Sequence, residues 1–239
     1  MIRLDKFLSN SGMGTRKDIR TLVKKGRVSV DGVTITDPGL RVDEATSDIR
    51  IDDEPVAYKK YIYIMMNKPS GVVSATFDKH LPVVTDLLDE YCLSFEPYPA
   101  GRLDIDTEGF VLLTNDGDLC HRILAPKKHI KKIYLVETDI PADASDIRVF
   151  ADGVVLDDGY KTMSAHLELK DGNTSYLTIC EGKFHQVKRM FAAPGNEVLY
   201  LKRMAMGGVS LDETLAPGEY RALTNEELQM LQDSVRSEG

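Results

Sequence analysis

Two Asp-Gly pairs, each set inside alternating apolar and polar residues, restrict the fold of this chain more than any other feature. The stretch "RVSVDGVTIT" (27–36) alternates around Asp31-Gly32, and "AHLELKDGNTSYLTI" (165–179) alternates around Asp171-Gly172. Asp-Gly suits the positive-φ positions of a tight hairpin turn, and a period of two suits a half-buried strand. Helical patterns separate further apolar runs, but without a regular βαβ spacing. The expected fold class is therefore α+β, with a mostly antiparallel sheet.

The first hairpin closes a small N-terminal unit. In "RLDKFLSNSG", Leu4, Phe7 and Leu8 recur at i, i+3, i+4 and predict a short helix that stops at Gly12. In "TRKDIRTLVKKG", Thr15 can cap a second helix whose apolar face is Ile19, Leu22 and Val23, ending at Gly26. The opposite face carries Arg16, Lys17, Arg20, Lys24 and Lys25. A strand at 48–52, "DIRID", follows the hairpin, and "EPVAYKK" (54–60) reads as a linker. Residues 1–58 are thus expected to form one domain and 61–239 a second, larger one. A chain of 239 residues suits that division.

With 42% hydrophobic and 28% charged residues the chain has the composition of a globular protein. No apolar stretch approaches the roughly 20 residues of a membrane span, so no membrane partner is expected. The opening "MIRLDKFLSN" does not read as a secretory signal. Cys92, Cys120 and Cys180 are odd in number and scattered, which fits a reducing, cytoplasmic setting. The five His residues make no ligand spacing with Cys or with one another, so no metal is expected.

Net charge is −8, which taken alone opposes a nucleic-acid partner, but its distribution does not. Residues 1–27 hold eight Lys/Arg against two Asp, and 121–134 hold five Lys/Arg and no acid. Residues 135–160 hold seven acids and one Arg, and 204–239 hold seven acids and two Arg. Basic patches on an acidic body draw a polyanion to particular faces.

Three segments gather polar residues beside buried strands. In "GRLDIDTEGFVLLTNDGD" (101–118), Arg102, Asp104, Asp106 and Glu108 are spaced by two and project to one side of an extended loop, leaving Leu103, Ile105 and Phe110 to face inward. A partly desolvated Asp held beside a cation stays ionised and nucleophilic. Asp116-Gly117 reads as a turn closing a hairpin. In "KKIYLVET", Tyr134 opens an apolar strand, a placement that also suits plain core packing. In "EGKFHQVKRMFAA", a basic helix from Phe184 would turn Lys188 and Arg189 in different directions.

The N-terminal segment "RLDKFLSNSGMGTRKDIRTLVKKGRVSVDGVTI" resembles the S4-type RNA-binding domain. The resemblance implies that Arg16, Lys17, Arg20, Lys24 and Arg27 lie along structured RNA, gripping phosphates without reading sequence. "NKPSGVVSAT", "GRLDIDTEGFVLLTNDG", "KKIYLV", "EGKFHQVKRMF", "NEVLYLKR" and "LAPGEYRALT" occur in the order and spacing of the RNA pseudouridine synthases, in the branch that joins an S4 domain to the catalytic domain and acts on ribosomal RNA. "YPAGRLDIDTEG", "FHQVKRMFAAPGNEV" and "LDETLAPGEYRALT" are most similar to the small-subunit rRNA enzymes.

This resemblance implies a catalytic role for Asp104, a tyrosine against the target base at Tyr134, and a basic partner of the aspartate at Lys188. It also places Leu201 in the wall of the base pocket, with Asp106, Thr107 and Glu108 holding the loop. Arg102 is expected to fill the stack vacated by an unstacked base. The run 122–132 would hold the flanking strand. The implied reaction cuts the C1′–N1 bond of uridine, turns the base and joins C1′ to C5. It is an isomerisation and needs no cofactor. The carboxylate serves either as a covalent nucleophile or as the base that starts an elimination, and both stay open. The expected partner is ribosomal RNA of the small subunit, naked or as an assembly intermediate, bound by a monomer.

Two other classes fit parts of the sequence. A non-catalytic S4-type assembly factor would have lost at least one of Asp104, Tyr134 and Lys188. A two-carboxylate glycosidase needs carboxyl groups roughly 5–9.5 Å apart on opposite faces of the bond, which residues two apart on one loop side fit poorly. A large-subunit enzyme of the same branch is the nearest alternative.

Overall fold

Periodicity in the first 60 residues becomes a packed unit with its own core. The computed structural model describes Met1–Arg236; residues 237–239, the C-terminal limit of the expected second domain, lie outside the described residues. The chain divides into two compact units, Met1–Ile62 with Leu88–Pro97, and Tyr63–Leu87 with the rest.

In the first unit, strand β1 (Ile2–Arg3) leads into helix α1 (Leu4–Asn10), followed by α2 (Arg16–Lys24). Thr15 caps α2 through a reciprocal box: its hydroxyl accepts from the Asp18 N–H at 3.2 Å, and the Asp18 carboxylate accepts from the Thr15 N–H at 3.2 Å. Strands β2 (Val28–Val30) and β3 (Val33–Ile35) form the Asp31-Gly32 hairpin, with both turn residues at positive φ. β4 (Arg41–Val42) pairs with β1, and β5 (Ile49–Ile51) joins β2 to β6 (Glu54–Pro55). The core is Leu4, Phe7, Leu8, Ile19, Val23 and Val28 with their neighbours.

Two expectations are corrected here. The supposed linker 54–60 contributes β6, and Val56 and Tyr58 pack on the first core, so the unit runs on to Ile62. Residues 88–97, expected in the second domain, belong to the first unit, where helix α3 (Glu90–Ser94) meets α1. Tyr91 and Phe95 meet edge to face there, with ring centroids 5.3 Å apart.

The second unit is built on one sheet. Its strands are β7 (Tyr63–Lys68), β8 (Tyr98–Pro99), β9 (Glu108–Thr114), β10 (Lys132–Thr138), β11 (His166–Leu169), β12 (Thr174–Ile179), β13 (Val198–Met206), β14 (Val209–Ser210) and β15 (Tyr220–Ala222). The order across the sheet is β11-β12-β10-β13-β9-β7-β15, with β14 on β13 and β8 on β9. Every pairing is antiparallel except β13 with β9. The fold is α+β with a mostly antiparallel mixed sheet.

The parallel pairing depends on Gly109. At φ +100° it lets β13 come so close that an added Cβ would stand 2.3 Å from the Arg203 carbonyl oxygen. That contact is impossible for any other residue.

Helices α4 (Gly117–Leu124), α5 (Ala144–Asp152), α6 (Gln186–Ala192) and α7 (Asn225–Arg236) complete the unit. Asp116-Gly117 closes no hairpin. Asp116 caps α4, accepting from the Leu119 N–H at 3.1 Å and from the Tyr63 hydroxyl at 2.8 Å. Asp-Gly before an apolar helical stripe is an N-cap as readily as a turn. A reciprocal box of Thr224 and Glu227 caps α7, with the Thr224 N–H donating to the Glu227 carboxylate at 2.8 Å and the Glu227 N–H to the Thr224 hydroxyl at 3.1 Å.

Candidate active site

The loop between β8 and β9 carries Asp104, and two buried side chains pin it. Ser74 bridges both backbone groups of Leu103, its hydroxyl donating to the carbonyl and accepting from the N–H at 3.1 Å each. Lys68, fully buried at the end of β7, donates to the carbonyl oxygens of Pro69, Ile105 and Thr107 at 3.0, 3.1 and 2.8 Å. Burial holds the Lys68 pKa down to about 8, against the pull of Asp106, Glu108 and Asp104. Leu103 and Phe110 face inward as expected, but Ile105 is exposed, because its carbonyl rather than its side chain anchors the loop.

Helix α6 presents the cation. It begins at Gln186, two residues later than predicted, because His185 sits in the left-handed region at φ +48°. The Gln186 amide nitrogen donates to Glu181 at 2.8 Å while its oxygen accepts from the Lys183 N–H at 2.8 Å, which fixes the approach to the helix. Lys188, in the first turn, donates to both carboxylate oxygens of Asp106 at 2.5 and 2.7 Å. This bond holds the Asp106 pKa below the usual carboxylate range. Asp104 Oδ2 is 3.8 Å from the same Lys188 nitrogen. The nearer partner of Lys188 is therefore Asp106, which the sequence reading had only holding the loop.

His185 Nε2 stands 3.6 Å from Asp104 Oδ1, and its ring stacks on Phe184 at 3.7 Å. Sequence reasoning missed it, since a left-handed residue at a helix start leaves no periodic signal.

Tyr134 and Leu201 come from the sheet. Tyr134 on β10 lies opposite Arg203 on β13, and Leu201 lies opposite Val136, so both project from one face. Both are buried. A pocket of about 70 Å³ is lined by Asp104, Tyr134, Leu201 and Arg102, among others. Arg102 is exposed and also lines a second, 580 Å³ hollow with Asp104 and His185.

The structure thus brings Asp104, Tyr134, Leu201, Arg102 and Lys188 together. Arg16, Lys17, Arg20, Lys24 and Arg27 belong to the first unit. Those on α2 are exposed, and Arg27 is bonded to Asp52. Buried Lys68 and Arg203 were also missed. Lys68 ends the apolar run "YIYIMMNK", and a lysine there invites the question of its partners. Among the described residues, no cluster of three or more His, Cys, Asp or Glu is placed to hold a metal, and no helix is long and apolar enough to cross a membrane.

The pocket joins a carboxylate to a tyrosine and an apolar wall, with a lysine beside them.

Comparison with known proteins gives the family. Residues 62–193 match the RNA pseudouridylate synthase family, and 2–47 match the S4 domain. An uncharacterized RNA pseudouridine synthase of Bacillus subtilis is 54% identical over 97% of this chain and 99% of its own. Ribosomal small subunit pseudouridine synthase A of Escherichia coli K12 is 42% identical over 95% of this chain and 98% of its own. A pseudouridylate synthase of known crystal structure superposes with a TM-score of 0.68 at 39% identity, covering 97% of this chain and 100% of that one. With matches that span both units and a pocket of fitting chemistry, the chain belongs to the RNA pseudouridylate synthase family and is an RNA uridine isomerase with an N-terminal S4 domain.

Proposed function

We propose that the protein isomerises one uridine of small-subunit ribosomal RNA, with Asp104 as the catalytic carboxylate. The observation that carries this reading is the Asp104 carboxylate sharing one pocket with Tyr134 and Leu201, 3.8 Å from the Lys188 ammonium. Support for the substrate comes from relatives of near-full-length coverage that are named ribosomal small subunit pseudouridine synthase A.

Asp104 assists cleavage of the C1′–N1 bond, as nucleophile or as the base that starts elimination. The Lys188 ammonium faces its carboxylate with the opposite charge from 3.8 Å. The freed uracil turns between Tyr134 and Leu201, C5 bonds to C1′, and the C5 proton leaves. Tyr134 or a water it positions takes that proton. Arg102 occupies the stack left by the base, and α2 holds structured RNA through its phosphates. The enzyme acts as a monomer in the cytoplasm.

The test is tritium release from C5-labelled uridine in small-subunit rRNA, paired with a pseudouridine map of cells with and without the gene. Release without strand or base loss, and loss of one small-subunit site in the deletion strain, are expected. Loss of a large-subunit site instead would overturn the substrate assignment.

A further inference from the structure

Beside the Asp104 pocket lies a separate cavity of about 360 Å³ whose charge runs against that of the chain. Five cationic side chains line it, Arg102, Lys127, Lys132, Lys183 and Arg203, on a protein of net charge −8. The single carboxylate in the lining, Glu181, already accepts from the Tyr160 hydroxyl, the Met163 N–H and the Gln186 amide.

Two of these cations are built into the sheet. Lys132 and Tyr134 are two apart on β10 and so share a face, and Arg203 lies opposite Tyr134 on β13. Both cations therefore flank the tyrosine. Arg203 is 2% exposed. Its Nε donates to the Phe110 carbonyl at 2.7 Å, and its Nη2 is buried with no hydrogen-bond partner among the described residues. The Lys132 ammonium donates to the Ile130 carbonyl at 3.0 Å. Neither has a carboxylate within salt-bridge distance among the described residues.

A buried guanidinium without counter-charge is strongly unfavourable, and the half-buried Lys132 ammonium on the same face adds like charge beside it. A cavity that concentrates them beside a reaction pocket is a site prepared for an anion from outside the protein. Arg102, Tyr134, Gly182 and Lys183 line both hollows, so an anion here lies next to whatever occupies the Asp104 pocket.

We infer that this cavity seats a backbone phosphate of the substrate RNA, adjacent to the nucleotide whose base enters the Asp104 pocket. The inference rests on the RNA-isomerase reading above and adds to it a fixed anchor for the strand while one base is unstacked. A phosphate contact of this kind positions the strand and carries no sequence information. Lys132 is a reporter for it. Burial and the neighbouring Arg203 hold its pKa down to about 8, against weaker opposing effects of Cys180 and Glu181. A bound anion favours the charged ammonium and pushes that value back up.

The test uses the full chain and inorganic phosphate, with the side-chain resonances of labelled lysines followed through a pH titration at constant ionic strength. Phosphate in place of chloride should raise the Lys132 pKa by about one unit and leave exposed Lys170 unchanged. An unmoved Lys132, or an equal shift at both lysines, overturns the site. With RNA, Lys132→Met should raise KM about tenfold and reduce the log–log salt slope of binding by about 0.7, the single-strand value for one phosphate, with a smaller change in kcat. An unchanged KM and slope, or a loss confined to kcat, also overturns it. The phosphate titration needs no turnover. A positive titration without tritium release would therefore count against the isomerase reading and not against the anion site.

Discussion

The Lys188 ammonium lies 3.8 Å from Asp104 but donates to Asp106 at 2.5 and 2.7 Å. Asp106 thus holds the cation that stands beside Asp104, and the two carboxylates should respond differently to loss of charge. Asp104→Asn should abolish tritium release with RNA affinity within a few-fold. Asp106→Asn leaves Lys188 with one charged neighbour and should keep turnover within about tenfold of wild type, whereas Lys188→Met should lose about 100-fold or more. Single-turnover tritium release distinguishes them. An Asp106→Asn variant as inactive as Asp104→Asn would exchange the two roles.

Tyr134→Phe keeps the buried ring between Arg203 and Leu177 on the neighbouring strands and removes only the hydroxyl. If the hydroxyl takes part in removing the C5 proton, turnover should fall by about 100-fold or more with unchanged RNA binding. Full activity in the same assay would leave the tyrosine as a pocket wall.

Lys68 links the Asp104 loop to pH. Its folded pKa of about 8 lies below the ordinary 10.5, so between these values the unfolded chain binds the extra proton and stability rises with pH. Lys68→Met lacks this gain and also frees three buried carbonyls. Urea unfolding should show the variant about 2–4 kcal/mol less stable at neutral pH, and the gap to wild type should widen by about 1–3 kcal/mol by pH 10. A gap that stays constant with pH would mean that Lys68 titrates normally.

On α2, Lys17 and Lys24 are exposed and make no ion pair among the described residues, whereas Arg27 is held by Asp52. Each of Lys17→Ala and Lys24→Ala should reduce the log–log salt slope of rRNA-fragment binding by about 0.9, the duplex value per phosphate. Arg27→Ala should reduce it less, because that guanidinium already has a counter-charge. Filter binding from low to moderate salt tests all three, and an unchanged slope for the two lysines would remove α2 from the RNA contact.

A short linear oligonucleotide with the local target sequence should be a poor substrate beside structured small-subunit rRNA, since an S4 unit recognises shape. Comparable kcat/KM on the two would contradict recognition by shape.

Local signals read well from the chain. Thr15 with Asp18, Thr224 with Glu227 and the Asp31-Gly32 hairpin each depend on residues within a few positions of one another. The loop with Asp104 was legible because its turn and its polar row are contiguous. What escaped depends on distant partners. Lys68 has a role only where the carbonyls of Ile105 and Thr107 arrive, and Arg203 only opposite Tyr134. The capping role of Asp116 was hidden because the same dipeptide opens a turn or a helix. The assignment of Leu88–Pro97 to the first unit is tertiary throughout, since a five-residue helix carries too short a pattern to show which core it joins.

That last segment bears on how such proteins can be recombined. The chain changes unit after Ile62, after Leu87 and again after Pro97. A single crossover at residue 62 would graft a foreign N-terminal unit onto a host that still supplies its own α3. The hybrid would then have to seat Phe95 and Tyr91 of one lineage beside an α1 of another. Exchange of the RNA-handling unit between relatives therefore needs two grafts made together, 1–62 and 88–97, and lineages that swap only the first should show compensating changes in α1.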